Sequence, residues 1–460
     1  MAVNNGNFGE GSIPKLLLKL SLPIIAAEIV HVLYNIVDRI FIGHMPDVGT
    51  VALTGVGVAF PLITFIGAFA NLFSTGGATL SSIARGEGDD DKAERILSTS
   101  FTLLVAVGLV LTIGLYLLAP WALEIMGGDE ETLPYALDYF RIYVIGTIPV
   151  LISLGMNTFI TAQGFSGIGM WTVLIGALLN TGLDPLFIFT FNMGIKGAAY
   201  ATVVSQTISA LWVVLFLVGK KPIIRLSRLY IDPVCVTQIC KLGVTGFTFK
   251  VTTSIAQAVI NATLKAFGGP MSTLYIGAMS IINSLREVTT IPVNGLGNGY
   301  IPIASYNYGA KKWQRLDKAI GTFFLYIFIM NLIIWGVLLL LPRPLIGLFS
   351  EDAELTELTV HCMMIYFGAY IFMSFQVTGQ NTYVALNYPK HALFFSLLRK
   401  IIIVVPCTII LPRIGLGVDG VFYAELVSNV IGGIGALVAM YFTIWRKVKR
   451  LAKGETDIEV

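Results

Sequence analysis

Twelve apolar stretches of about 20 residues or more follow one another along the chain, bounded by Gly, Pro and charged residues. One helix of that length crosses the hydrocarbon core of a bilayer, and no connection is long and polar enough to form a separate soluble domain. The pattern predicts an all-α integral membrane protein with 12 transmembrane helices, near 15–43, 51–80, 96–119, 134–160, 166–190, 197–219, 236–266, 273–305, 318–341, 358–386, 391–411 and 418–446.

Charged residues make up only 12% of the 460 residues, whereas a soluble protein has about a quarter. So few charges cannot cover a water-facing surface, which excludes a soluble enzyme and a disordered chain. The net charge of +3, from 30 Lys and Arg against 27 Asp and Glu, shows no basic excess for binding a phosphate backbone. We therefore expect membrane lipids around the chain and no nucleic acid as a partner.

The basic residues predict how the bundle sits in the membrane. With a cytosolic N-terminus, the inner connections and the tail hold 20 Lys and Arg, and the outer connections hold 4. The positive-inside rule favours only that orientation. The N-terminal residues lack the basic region and cleavage site of a signal peptide, so we expect the first span to be retained and both termini to be cytosolic.

The second half of the chain repeats the first. NMGIKGAAYATVVSQ is similar to RIGLGVDGVFYAELVSN about 223 residues later. Six spans return the chain to its starting side, so the halves are parallel repeats related by a pseudo-twofold axis along the membrane normal. We predict an N-terminal six-helix lobe over 1–219, a cytosolic linker over 220–235, a C-terminal six-helix lobe over 236–446 and a cytosolic tail over 447–460.

Two acidic residues in spans of the first half, Asp38 and Asp184, are candidates for a functional site, because an ionisable group inside a membrane is costly. Carboxylate and amide oxygens are hard ligands of the kind that a small cation needs, and two neighbouring carboxylates also hold a proton well. The pattern predicts a cation or proton site and leaves Na⁺ and H⁺ both open. The polar residues that share a helix face with the two Asp residues are His31, Tyr34, Asn35 and Asn180.

Other roles for these residues stay open on the sequence alone. Asp184 precedes a proline and could cap a broken helix, and Asp38 could pair with Arg39 or Arg141. His31 could relay protons, since histidine titrates near neutral pH, or it could be a hydrogen-bonded packing residue.

The second half carries basic residues where the first carries acidic ones. Arg286, Arg399 and Lys400 lie in or near its spans, and Glu287 adjoins Arg286 without facing it on a helix. One interpretation is a structural ion-pair network. The other is a group that binds an anionic portion of a substrate or holds the two lobes together in one state.

The sequence has no motif for a cofactor or for catalysis. No G-x-x-x-x-G-K-[ST] occurs, so we expect no ATP hydrolysis. The signatures of intramembrane aspartyl proteases are missing around both Asp residues, and CVTQIC lacks the partner cluster of a zinc site. We interpret the four cysteines as structural thiols, and we predict a protein that is not an enzyme and has no cofactor besides a coupling ion.

Five segments carry a resemblance to a known family: YNIVDRIFIGHM, NTFITAQG, ALLNTGLDPLFIF, GIKGAAYATVVSQ and GLGNGYIPIASYNYGA. Together they resemble the multidrug and toxic compound extrusion (MATE) family, in the bacterial branch related to DNA-damage-inducible and multidrug-efflux members. The resemblance implies two bundles around a central V-shaped cleft and alternating access. It also implies bending of the first helix at Pro23. The cation site that it implies falls on Asp38, Asn180, Asp184 and Thr202, with Asn157 and Tyr139 beside it.

From these observations we predict a multidrug exporter in a prokaryotic plasma membrane that works as a monomer. It would exchange organic, mainly cationic and amphipathic drugs or toxic compounds for H⁺ or Na⁺. The alternative, from the same superfamily, is a flippase or exporter of a lipid-linked or anionic amphiphile, which would hold a phosphate with Arg286, Arg399 and Lys400. A passive channel is disfavoured because the chain has no filter-like repeat. The natural substrate and the preferred conformation stay open.

Overall fold

The computed structural model describes residues 7–46, 48–350 and 352–455, apart from the side chain of Lys250, and all regular structure in these ranges is helical. A helix lies at each of the twelve predicted spans, so the predicted fold class is confirmed. We number the helices α1 Ile13–Gly43, α2 Gly49–Glu87, α3 Asp90–Ile125, α4 Leu133–Ile145 with Thr147–Ala162, α5 Ser166–Thr190, α6 Ile195–Val218, α7 Pro233–Phe267, α8 Ser272–Gly309, α9 Trp313–Leu340, α10 Ala353–Tyr366 with Tyr370–Ala385, α11 Pro389–Ile414 and α12 Asp419–Ala452.

Most of these helices are apolar enough to cross a membrane. Within the described residues eight single helices meet that requirement, and the number rises to ten when the halves of α4 and of α10 are each joined. The other two, α7 and α8, have 35 and 38 residues, which is ample for a bilayer, but polar side chains interrupt their apolar runs.

The outer surface of α3 is apolar, as a lipid-facing surface must be. Leu109, Ile113 and Leu117 recur every four residues and are 50%, 61% and 72% exposed. A soluble protein rarely leaves so continuous an apolar stripe open to water. The stripe therefore indicates which side of α3 contacts lipid.

The helices form two compact units with the same internal packing. Lys19–Gly246 and the described residues up to Phe8 form the first unit, whereas Gly9–Leu18 and the described residues from Phe247 onward form the second. In the first unit α4 packs on α2, α3 and α6, and α5 packs on α6. In the second, α10 packs on α8, α9 and α12, and α11 packs on α12. The repeated packing agrees with the sequence repeat, while the domain limits near 219 and 236 stay a prediction.

One helix of each unit is broken. The halves of α4 meet at 59° and those of α10 at 44°. The first half of α4 ends at Ile145, whose carbonyl would bond to the amide of residue 149, and Pro149 has no amide to donate. In α5, α11 and α12 the chain instead passes through short π-helical segments, Leu186–Thr190, Leu398–Val404 and Tyr441–Trp445. Such segments are frequent at functional sites.

Candidate functional site

Helices α1, α5 and α6 bring Asp38, Asn180, Asp184 and Thr202 together, and we call these four residues the acidic site. Asn180 and Asp184 lie one turn apart on α5, where the Asn180 amide donates to Asp184 Oδ1 at 3.3 Å. The same amide nitrogen donates to Thr202 Oγ1 of α6 at 3.4 Å. Asp38 of α1 lies within hydrogen-bonding range of the Asp184 carboxylate. The i, i+4 spacing explains the first contact, and only the packing of the helices produces the others.

Several oxygens of the acidic site have no donor. Asp38 Oδ1, Asp184 Oδ2 and Asn180 Oδ1 are buried and accept no hydrogen bond within the described residues. Asp184 has 0% of its surface exposed and Asn180 has 2%. Two facing carboxylates repel each other unless a proton or a cation lies between them, and orphaned buried acceptors are costly. The residues present therefore fit a small cation or a proton.

Close packing of α5 on α6 sets the geometry of this site. A Cβ on Gly176 would lie 2.7 Å from the Oγ of Ser209 on α6, and a Cβ on Gly197 would lie 2.7 Å from the main chain of Phe187. Ser209 also donates to the Thr172 carbonyl at 3.1 Å. Small residues at both crossings hold Asn180 and Thr202 within reach of each other, as is common between membrane helices.

The structure bears on the alternative roles of the two Asp residues, an ion pair of Asp38 with Arg39 or Arg141 and a capping role of Asp184. The guanidinium of Arg39 lies 5.2 Å from the Phe60 ring and that of Arg141 lies 5.6 Å from the Tyr116 ring. Neither guanidinium lies within ion-pair distance of Asp38 among the described residues, and Arg39 stays within electrostatic range of it. Asp184 lies in the last turn of the α-helical part of α5, which ends at Pro185 and continues as the π-helical segment to Thr190.

His31, Tyr34 and Asn35 contact one another on α1, one to two turns before Asp38. The Tyr34 hydroxyl lies 3.5 Å from His31 Nε2, and Asn35 Nδ2 lies 3.3 Å from His31 Nδ1 and 2.6 Å from its carbonyl. Tyr34 is in turn electrostatically coupled to Asp38 and Asp184. This row of polar groups therefore continues the acidic site along α1.

Tyr139 of α4 lies within hydrogen-bonding range of Thr202 and is 4% exposed. Its ring stacks on Tyr143 with centroids 6.2 Å apart. Sequence reasoning missed Tyr143, and it also missed Gln206, which lies one turn after Thr202 and within hydrogen-bonding range of Tyr34. Ser153 donates to Gln206 Oε1 at 2.6 Å. The i, i+4 spacing from Tyr139 and Thr202 was the signal that could have found both.

Asn157 and Pro23 lie away from the acidic site. The Asn157 amide donates to the Gly169 carbonyl at 3.1 Å. Gly169 precedes Asn180 on α5 by roughly 16 Å along the helix axis, at 1.5 Å per residue. Pro23 lies inside α1, about four turns before Asp38.

The second unit gathers the predicted basic residues around an acidic partner, and we call Arg286, Arg399, Lys400 and Glu425 the basic cluster. Arg399 donates to Glu425 Oε1 at 2.5 Å and to Asn429 Oδ1 at 2.9 Å, and Lys400 Nζ lies 3.1 to 3.2 Å from both Glu425 oxygens. Arg286 donates to the Tyr366 hydroxyl at 3.2 Å. Glu287 is exposed and makes no ion pair within the described residues.

Comparisons with known proteins agree with this architecture. The family model described as MatE matches residues 23–186 and 251–410, which together are more than half of the chain. The multidrug export protein MepA of Staphylococcus saprophyticus is 23% identical over 442 residues, covering 94% of this chain and 95% of the relative. MepA of Staphylococcus aureus is 22% identical over 438 residues, with 94% and 95% covered.

Solved structures of similar fold include a MOP superfamily transporter from Pyrococcus furiosus, described as having a binding pocket of reverse polarity that suggests a different function. Its TM-score is 0.89 at 20% identity, with 98% of this chain and 99% of that chain covered. A MATE structure in the bent conformation has a TM-score of 0.90 at 20% identity, with 98% and 100% covered.

Proposed function

The chain belongs to the MatE family of membrane transporters, and from this premise we propose that it is a secondary active exporter of amphipathic, mainly cationic organic compounds. It exchanges them for H⁺ or Na⁺ by alternating access. The relatives named multidrug export proteins support the substrate class. We further propose that it works in the plasma membrane as a multi-pass monomer. The bias of Lys and Arg supports an orientation with both termini cytosolic.

The observation that carries the proposal is the pair of facing carboxylates, the buried Asp184 and the half-buried Asp38 with its buried Oδ1, beside the orphaned Asn180 oxygen. Asp38, Asn180, Asp184 and Thr202 would hold the coupling cation through carboxylate, amide and hydroxyl oxygens. Without a cation or proton, two facing buried carboxylates are strained by repulsion. Neutralising them relieves that strain, lets α1 shift and favours release of the substrate.

The gradient of the coupling ion supplies the energy for this exchange. A factor of ten in concentration corresponds to about 1.4 kcal/mol at 25 °C. When one H⁺ or Na⁺ exchanges for one monovalent organic cation, no net charge crosses, so the concentration gradient of the ion alone drives export. When the substrate is neutral or a second ion enters, one net charge crosses and the membrane potential adds about 2.3 kcal/mol per 100 mV.

The test is transport of a fluorescent organic cation, such as ethidium, in proteoliposomes under separately imposed Na⁺ and pH gradients. The gradient that drives accumulation identifies the coupling ion. Asp38→Asn and Asp184→Asn are expected to abolish driven transport while the protein stays folded. The matched control is Asp138→Asn, since Asp138 is a half-exposed carboxylate that pairs with Lys196 at 3.4 Å. Wild-type accumulation by folded D38N and D184N would refute the mechanism.

A second candidate function is export or flipping of an anionic amphiphile. The observation that favours it is the excess of cations in the basic cluster, where three basic residues surround Glu425. Parallel assays with ethidium and with a fluorescent phosphatidylglycerol distinguish the two functions. Movement of the lipid alone would favour the second.

A further inference from the structure

The basic cluster has more basic than acidic side chains, and all of them except the half-buried Arg286 are hidden from water. Arg399, Lys400 and Glu425 are 5%, 4% and 2% exposed, and Arg286 lies within electrostatic range of both Lys400 and Glu425. Even when the exposed Glu287 is counted, three basic side chains face two carboxylates. When all three are protonated, one positive charge lacks a counter-charge within the described residues, and such a charge is costly inside a membrane protein.

Hydrogen-bond donors beside the cluster are also unused. Arg399 donates hydrogen bonds from one terminal nitrogen to Glu425 and Asn429, but its buried Nε has no acceptor among the described residues. The buried hydroxyl of Tyr370 lies within hydrogen-bonding range of Thr289 but makes no hydrogen bond of good geometry among the described residues. Tyr370 lies within electrostatic range of both Arg286 and Arg399. A guanidinium fork and a tyrosine hydroxyl are suited to the oxygens of a carboxylate or a phosphate.

Tyr370 begins the second half of α10, directly after the 44° break. The main-chain amides of Tyr370 and Phe372 already donate to the carbonyls of Phe367 and Ala369. The donors that an anion would meet beside the break are therefore side chains and not main-chain amides.

The sequence repeat shows that this position corresponds to the acidic site of the first unit. Glu425 lies 223 residues after Thr202 and Tyr366 lies 223 residues after Tyr143, within matching segments of the two halves. Each unit therefore carries a polar group at the same place in its own fold, beside its broken helix. Near that place the first unit presents the carboxylates of Asp38 and Asp184, and the second presents Glu425 together with three basic side chains.

We propose that Arg286, Arg399 and Tyr370 form a binding site for an oxyanion group, a carboxylate or a phosphate, of a transported compound. Glu425 and Asn429 accept hydrogen bonds from Arg399 and hold it in place. The site deepens the proposed export function, because it adds zwitterionic and anionic compounds to the substrates. Binding itself does not depend on the coupling ion, so the two proposals can fail separately.

The experiment measures ligand binding to the purified full-length protein in detergent at constant ionic strength, by thermal shift and calorimetric titration. The probes are benzoate and phenyl phosphate, with benzamide as the neutral counterpart of benzoate. We expect both anions to bind and stabilise the protein and benzamide to do neither. The anion that binds with the higher affinity shows whether the site prefers a carboxylate or a phosphate.

The variants Arg286→Gln and Tyr370→Phe carry the test, because Arg399→Gln also breaks the contact with Glu425. Affinity for benzoate is expected to fall about tenfold or more in R286Q and about fivefold in Y370F, as for one charged and one neutral hydrogen bond. The matched control Arg343→Gln removes an exposed arginine paired with Glu357 and should leave binding unchanged. If R286Q does not fold, Y370F decides.

Equal stabilisation by benzamide, or wild-type benzoate affinity in R286Q and Y370F, would overturn this assignment. D38N provides the separation from the export proposal, since its benzoate affinity is expected to equal that of the wild type. If D38N loses coupled transport but still binds benzoate, the result supports an anion site that works independently of the coupling ion.

Discussion

The hydroxyl of Ser166 on α5 donates to the main-chain carbonyl of Lys19 on α1 at 3.3 Å. In an uninterrupted helix that carbonyl would bond to the amide of residue 23, but Pro23 has no amide. The Ser166 hydroxyl thus replaces a hydrogen bond that α1 lacks. The division between the two compact units also falls at this point of α1, between Leu18 and Lys19. A bend at Pro23 would have to loosen or lengthen the contact with Ser166.

This relationship predicts a specific non-additivity between two substitutions. Ser166→Ala is expected to lower the free energy of unfolding by about 1 kcal/mol, since it removes the donor to a carbonyl that Pro23 cannot serve. In the Pro23→Ala background the restored amide serves that carbonyl, so the same substitution should cost less by roughly 0.5 to 1 kcal/mol. Thermal unfolding of the four proteins in one detergent measures this coupling. Additive effects would show that Ser166 does not compensate for Pro23.

The close approach of α5 to α6 predicts the outcome of a steric substitution. Gly176→Ala places a methyl group against the Ser209 hydroxyl and is expected to destabilise the protein by about 1 to 3 kcal/mol. Because the obstacle is a single oxygen, Gly176→Ala should cost much less stability when it is made in the Ser209→Ala protein. Gly182→Ala on the same helix meets no atom within 4 Å and should be neutral or stabilising by up to about 1 kcal/mol. Equal effects at 176 and 182 would contradict the packing argument.

The oxygen ligands of the acidic site predict graded losses of cation affinity. Asn180→Ala removes both the orphaned oxygen and the contacts to Asp184 and Thr202, so the apparent affinity for the coupling cation should fall about tenfold or more. Thr202→Val keeps the side-chain volume and should lower it about fivefold. The control is Thr207→Val, whose exposed hydroxyl bonds only to its own helix in the described structure. Transport rates at varied cation concentration give these affinities, and a loss in T207V as large as in T202V would argue against a role for the Thr202 hydroxyl.

The buried network in the second unit predicts a large stability loss on charge removal. Glu425→Gln leaves Arg399 and Lys400 buried without their shared counter-charge, and breaking such a pair costs about 3 to 5 kcal/mol. Glu357→Gln is the matched control, because its partner Arg343 is exposed and surface pairs contribute little. Unfolding in detergent should show a marked loss for E425Q and almost none for E357Q. Similar melting curves for both would mean that Glu425 does not hold the network together.

Parts of the acidic site could be read from spacing within single helices. Asn180 and Asp184 lie one turn apart, so their contact follows from helical geometry. The partner of Arg399 and Lys400 did not follow from spacing, because Glu425 lies 25 and 26 residues away on another helix. Glu287, which adjoins Arg286 in sequence, turned out to be exposed. Asn157 shares the polar character of the site residues, but its amide bonds to Gly169 at a different level of α5.

The sequence by itself determined the membrane location, the twelve helices and the repeat, because the length and polarity of a span depend only on the residues within it. It also determined that the first half carries acidic groups and the second half basic ones. Only the tertiary structure decided which helix faces meet. That choice depends on side-chain volumes at crossings such as Gly176 with Ser209. It brings Asp38 to Asp184, and it leaves Arg399 Nε without an acceptor among the residues that the structure describes.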